Sequence, residues 1–196
     1  MPSVQALPDL PEAVDRTSHD DILAEEHFRY LRDHRRVTIG PAVSLVFENG
    51  KTLWFRLQEL AQVARRTGSS PLQAELEWYS RLLPTEGLLR AAVWIGLPGR
   101  RTSKDLEPLR RAVATGRIAF QDAKGTTVLG RIRTDRVADP SIGLSLWVEF
   151  PFSVSDLAAF EESNRGWHLT LDAGNYRHTG EVLSDSVWLS LLKDLN

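Results

Sequence analysis

Five histidines, a scatter of acids and no cysteine are what this 196-residue chain has for chemistry. Two histidines on one helix share a metal ion when they are three or four residues apart. His27 and His34 are seven apart, which sets them about 10.5 Å apart along a helix axis. Tyr30 and Leu31, between them, are poor ligands. His168, His178 and Asp172 are close in sequence, but strand alternation puts His168 and Asp172 on one face about 13 Å apart. The lack of cysteine excludes disulfides, thiolate zinc sites, iron–sulfur ligation and cysteine nucleophiles. Redox chemistry would then need a bound cofactor or a partner protein. The chain has no G-x-S-x-G elbow, Walker loop or dinucleotide glycine fingerprint. The Ser-x-x-Gln at Ser70 and Ser-x-x-Asp at Ser153 suit helix caps better than active serines. No catalytic residue, metal ligand set or cofactor is expected on these grounds.

Two readings remain for the polar groups. Glu48 and Glu59, with Arg56 nearby, have the composition of an acid–base or anion–cation site, and Arg36 and Tyr176 are the further members of one possible ligand pocket. The structural alternative pairs Glu48 with Lys51 across a hairpin and gives Glu59 a place at a helix start. Arginines come in pairs at 35–36, 65–66, 100–101 and 110–111; a codon bias toward arginine is the plain explanation, and a phosphate or carboxylate site built from one pair is the functional one. Of six tryptophans, Trp54 and Trp78 fall off the apolar stripes and are the candidate anchors of a protein–protein interface.

Several elements must position these groups. Residues 1–17 read as an extended, proline-dotted segment, and 18–196 as a single α+β domain. A helix is expected from Ser18 to His34. Strands Arg36–Ile39, Ser44–Glu48 and Lys51–Phe55 form a predicted three-stranded meander, with Asn49-Gly50 as a type I′ turn. In that register Val46 faces Leu53. Helices follow over 58–66 and 70–83, the second opened by Ser70-Pro71 and closed by Pro84. Leu88–Leu97, apolar on both faces except at Arg90, reads as a central strand covered on both sides. A helix over 106–114 precedes a hairpin of 117–121 with 126–133. Strands 144–150 and 167–172 flank a helix opened at Ser153, and a last helix over 186–195 carries Val187, Leu191 and Leu195 on one stripe. The fold class is therefore α+β, a mostly antiparallel sheet with helices packed on it.

Composition narrows the partners. A net charge of −2 and a pI near 6.2 argue against nucleic acid. No run approaches the ~20 apolar residues of a membrane span, and Met1–Leu10 lacks a basic n-region, so the expected location is cytoplasmic and away from membranes.

The stretch Arg35-Arg36-Val37, Gly40-Pro41, Leu45-Val46-Phe47-Glu48-Asn49, Thr52 and Gln58-Glu59 resembles the opening of the bacterial domain-of-unknown-function family 3501. The likeness runs on through Glu75-Leu76, Tyr79 and Leu83-Pro84, and returns at Phe150, Tyr176 and Leu191-Leu192-Lys193-Asp194-Leu195. Members tend to be encoded beside iron–sulfur oxidoreductases and rubrerythrin-like proteins. The resemblance therefore implies a redox or oxidative-stress accessory role. The leading expectation is a non-catalytic accessory or adaptor protein that binds such an enzyme, with a homodimer also possible. It also implies acidic residues where this chain has Ala64 and Gly96, and histidines near Leu146 and Ala173. An acid–base or metal site made of those groups is one this chain would lack. The rival expectation is a small-molecule enzyme or binder using Arg36, Glu48, Arg56, Glu59 and Tyr176.

Overall fold

The computed structural model describes residues 26–27, 29–67, 77, 79–96, 103–133, 144–162 and 166–196, and leaves aside the side chains of 59–67, 103–105 and 144–145. The expected extended segment 1–17, the helix start at Ser18 and the cap at Ser70 lie outside the described residues, as does Trp78.

The described residues form nine strands, with helices between some of them. A π-helical turn, Leu31–Arg35, leads into β1 (Arg36–Ile39) and β2 (Val43–Phe47), and α1 (Gly50–Thr67) precedes β3 (Leu88–Ile95). Then come α2 (Ser103–Thr115), β4 (Arg117–Gln121), β5 (Thr127–Leu129), β6 (Arg131–Arg133) and β7 (Leu144–Pro151). The chain closes with α3 (Val154–Glu161), β8 (His168–Ala173), β9 (Tyr176–Val182) and α4 (Asp185–Leu195). One sheet has the order β1-β2-β3-β7-β6 and the other β5-β4-β8-β9, with antiparallel pairing throughout. The expected α+β class with a mostly antiparallel sheet holds. So do the doubly covered strand at 88–95, the Ser153–Asp156 capping box and the closing stripe of Val187, Leu191 and Leu195. The expected hairpin forms over 117–121 with 127–129, whereas residues 131–133 leave it and pair with β7 in the other sheet.

The expected hairpin at Asn49-Gly50 does not form. Residues 51–55 belong to α1, and the third strand against β2 is β3, with Val46 opposite Ala92 rather than Leu53. The reason is local. Asn49 caps a helix instead of turning a hairpin: its Oδ1 accepts from Thr52 N at 3.1 Å, and Thr52 Oγ1 accepts from Asn49 N at 2.9 Å. Leu53 N then makes the first helical bond to Asn49 O at 3.0 Å. Neither Asn49 nor Gly50 has the positive φ that a type I′ turn needs. Thr52, Leu53, Arg56 and Leu57 are the buried positions, a spacing that one helix face produces and an alternating strand cannot.

The two sheets face one another across the main core. Leu45, Phe47, Leu89, Val93, Val148 and Phe150 of the first meet Ile118, Phe120, Leu169 and Leu171 of the second. Phe120 lies at its centre, with ring centroids 4.8 Å from Phe150, 5.6 Å from Phe47 and 5.9 Å from Phe160. Edge-on and tilted aromatic pairs of this kind add about 0.5–1.5 kcal/mol each beyond area burial. Leu146 and Ala173 are also in this apolar core. Gly130 carries the chain from one sheet to the other between β5 and β6. Its N–H reaches Ile118 O at 2.8 Å, and a Cβ there would come within 2.7 Å of Val148.

The other face of the first sheet is covered by α1 and the segment around Tyr79. Leu53, Leu57, Tyr79, Leu82 and Leu83 pack on Ala92 and Trp147. Leu53 and Leu57 are fully buried, and each such side chain contributes about 1.5–3 kcal/mol by leaving water. This cover makes α1 part of the fold and fixes where Arg56 points.

Candidate functional site

The outer face of the first sheet gathers most of the singled-out polar groups. Glu48 follows β2 and is fully buried; its carboxylate accepts from Arg56 Nε at 3.0 Å, from Arg56 Nη2 at 2.6 Å and from Thr52 Oγ1. Arg56 is eight residues on, two turns into α1, and its guanidinium lies 5.8 Å from the Trp94 ring and 5.7 Å from the Trp147 ring. Burial between two indoles strengthens the pair electrostatically and leaves Glu48 with its oxygens occupied. The expected Glu48–Lys51 pair is replaced by this one, because Lys51 faces outward in α1 and stands 4.2 Å over the Tyr30 ring.

A shallow groove of about 300 Å³ opens on the same side of the sheet. Register makes it: Thr38 opposes Ser44, Ser44 opposes Trp94, and Arg36 is two residues before Thr38 on the same face of β1. Pro41, Ala42 and Ile95 complete the apolar part of the wall. Arg36 is exposed and has no side-chain partner among the described residues. Trp94 is half-buried, and its indole Nε1 has no acceptor among the described residues.

Tyr176 does not join the groove. It opens β9 and sends its hydroxyl to the β1–β2 turn, donating to Ile39 O at 2.8 Å and accepting from Ala42 N at 2.9 Å. It therefore clips the edge of the second sheet to the first and braces the turn that walls the groove. His178 lies tilted against it, 4.3 Å between ring centroids, and fills the space over Gly40, where φ is +66°. Glu59 lies one helical turn beyond Arg56, with its side chain outside the described residues. Of the five residues expected around one pocket, Glu48 and Arg56 meet in the interior, Arg36 lines the groove and Tyr176 supports it from behind.

Trp54, an interface candidate, is half-buried in α1 rather than on a strand; its ring meets Phe55 edge-on at 5.4 Å. Phe55 in turn stacks on His27 at 3.9 Å. Burial is the main cause that lowers the His27 pKa to about 4, with the Arg56 and Lys51 charges adding to it. The arginine pairs divide their work. Arg35 is fully buried, donates to Phe47 O at 2.9 Å and Ser190 Oγ at 2.8 Å, and forms an ion pair with Asp194, so it ties β2 to α4. Arg110 and Arg111 both hold Glu107 on α2, whose pKa their hydrogen bonds pull down. Thr38, Ser44 and Trp94 were not among the expected site residues. Their signal is the alternation of buried Val37 and Ile39 with outward Arg36 and Thr38 on β1, which needs the partner strands to become a groove.

The class these observations define is an α+β protein of two facing antiparallel sheets, one of them backed by a helix that delivers a buried Glu–Arg pair. Residues 24–195 match the family DUF3501, described as a protein of unknown function, and the chain belongs to that family. A similar solved structure is the crystal structure, at 1.90 Å resolution, of a novel protein of unknown function from Burkholderia pseudomallei K96243. It is 22% identical with a TM-score of 0.69, covering 91% of this chain and 94% of that one, and the likeness is one of fold. No curated protein matches the chain. Among the described residues, no helix is long and apolar enough to cross a membrane.

Proposed function

We propose that this protein is a non-catalytic accessory protein of the cytoplasm that binds a partner protein, with a redox or oxidative-stress enzyme as the first candidate. One observation carries the reading. Glu48, one of the two acids that the sequence offers for proton transfer, is consumed by Arg56 and Thr52 inside the fold. A general base must reach the proton it takes, and a carboxylate that is fully buried and already accepts three hydrogen bonds has no such access. What α1 offers to the outside is of a binding kind: the half-buried Trp54 beside Phe55, and Lys51 over Tyr30. Aromatic residues of this sort anchor protein interfaces.

The test is co-purification from native lysate by the tagged protein and by its Trp54→Ala form, with the mass of each measured in solution. Reproducible capture of a redox enzyme by the native chain, and its loss in Trp54→Ala at unchanged thermal stability, is the expected result. A strictly monomeric chain that captures nothing would remove the accessory reading.

A further inference from the structure

We infer that the groove on the outer face of the first sheet binds a small organic anion, a carboxylate or phosphate oxyanion carried on an apolar body. This goes beyond the partner-binding reading and does not rest on it. Across three neighbouring strands the register brings Thr38, Ser44 and Trp94 into one row, with Arg36 beside Thr38 on the same face. Arg36 supplies a planar fork of donors that matches an oxyanion, and it is exposed with no side-chain partner among the described residues. The hydroxyls of Thr38 and Ser44 add donors next to it. Pro41, Ile95 and the Trp94 ring make up the apolar remainder. At about 300 Å³ the groove stands at the small end of ligand sites, which run from roughly 300 to 1,000 Å³.

The site is braced from two sides. Tyr176 holds the β1–β2 turn from behind through Ile39 O and Ala42 N, so the wall containing Pro41 and Ala42 is set before any ligand arrives. Arg56 stands 5.8 Å over Trp94 and is neutralised by Glu48, so among the described residues of the groove the cation open to a ligand is Arg36. The polar end and the apolar end lie side by side, which selects against a bare inorganic ion and against an uncharged ring alike. No bond is made or broken.

Calorimetric titration of the purified full chain tests this with benzoate and phenyl phosphate, which share a body and differ in head group. Inorganic phosphate lacks the body and benzyl alcohol lacks the charge. Saturable binding of one or both organic anions is expected, in competition with each other if both bind, and at least about tenfold tighter than either control. Arg36→Ala should weaken it by about tenfold or more, and Arg36→Lys by less, since the charge survives without the fork. Arg36 is exposed, so both variants should keep the native thermal midpoint. Arg177→Ala, on the second sheet, should bind as the native chain does. The proposal is overturned if neither organic anion saturates, if Arg36→Ala binds them unchanged, or if inorganic phosphate binds as tightly as phenyl phosphate. Because no partner protein is present, either result leaves the co-purification outcome independent.

Discussion

Replacing Glu48 by leucine leaves the Arg56 guanidinium buried between Trp94 and Trp147 without its carboxylate. Desolvating a cation and then removing its counter-charge costs about 3–5 kcal/mol, a large fraction of the 5–15 kcal/mol that holds a typical domain together. Arg56→Leu should cost a similar amount, since it leaves a fully buried carboxylate that still accepts from Thr52 but has lost its counter-charge. The double variant Glu48→Leu/Arg56→Leu removes both charges and puts two apolar side chains beside Leu53 and Leu57. It should recover at least half of the summed loss, because swapping a whole buried ion pair for apolar residues is often nearly neutral. Urea unfolding provides the assay. With a slope of about 2 kcal/mol per molar, each single variant should move the midpoint down by about 1.5–2.5 M, with the slope unchanged. Lys51→Ala is the control. As a surface cation over Tyr30 it should cost under about 1 kcal/mol. A midpoint shift under about 0.5 M in Glu48→Leu, the behaviour of a solvated pair, or a double variant that loses the full sum of the singles, would show that the pair is not a buried one.

His27 titrates at about 4 in the fold against an ordinary 6.5, so the unfolded chain takes up its proton first as the pH falls. This contribution is whole above pH 6.5 and is lost on descending to pH 4, amounting to about 3 kcal/mol at most. Thermal midpoints measured across that window should fall in the native chain, and fall less steeply in His27→Leu. Tyr176→Phe deprives both Ile39 O and Ala42 N of their partner and should cost about 1–3 kcal/mol in urea unfolding. A cost near zero would mean that water replaces the hydroxyl and that the clip adds nothing.

How much of this was legible in the residues depended on how local each signal is. The Ser153–Asp156 cap, the stripe of Val187, Leu191 and Leu195, and the doubly apolar β3 were readable because one segment carries the whole pattern. β9 was not, since Tyr176–Val182 buries little, and pairing with β8 is what makes it a strand. The candidate site was half readable. Glu48 and Arg56 stood out by type, but their union needed α1, because eight residues on a helix bring together what eight residues on a hairpin would hold apart.

Asn49-Gly50 shows most plainly where the sequence runs out. An Asn before a Gly is competent both to cap a helix and to turn a hairpin, and Thr52–Leu57 is apolar enough for either. The local chain therefore determined that its direction changes after Glu48. The tertiary structure decided how, by giving β2 a neighbour in β3 that occupies the edge Lys51–Phe55 would have taken. Once that edge is filled, burying Leu53, Leu57 and the Glu48–Arg56 pair on the sheet's outer face is open only to a helix. The groove has the same origin: Arg36, Thr38, Ser44 and Trp94 are set by the sequence as residues, and long-range strand register makes them neighbours.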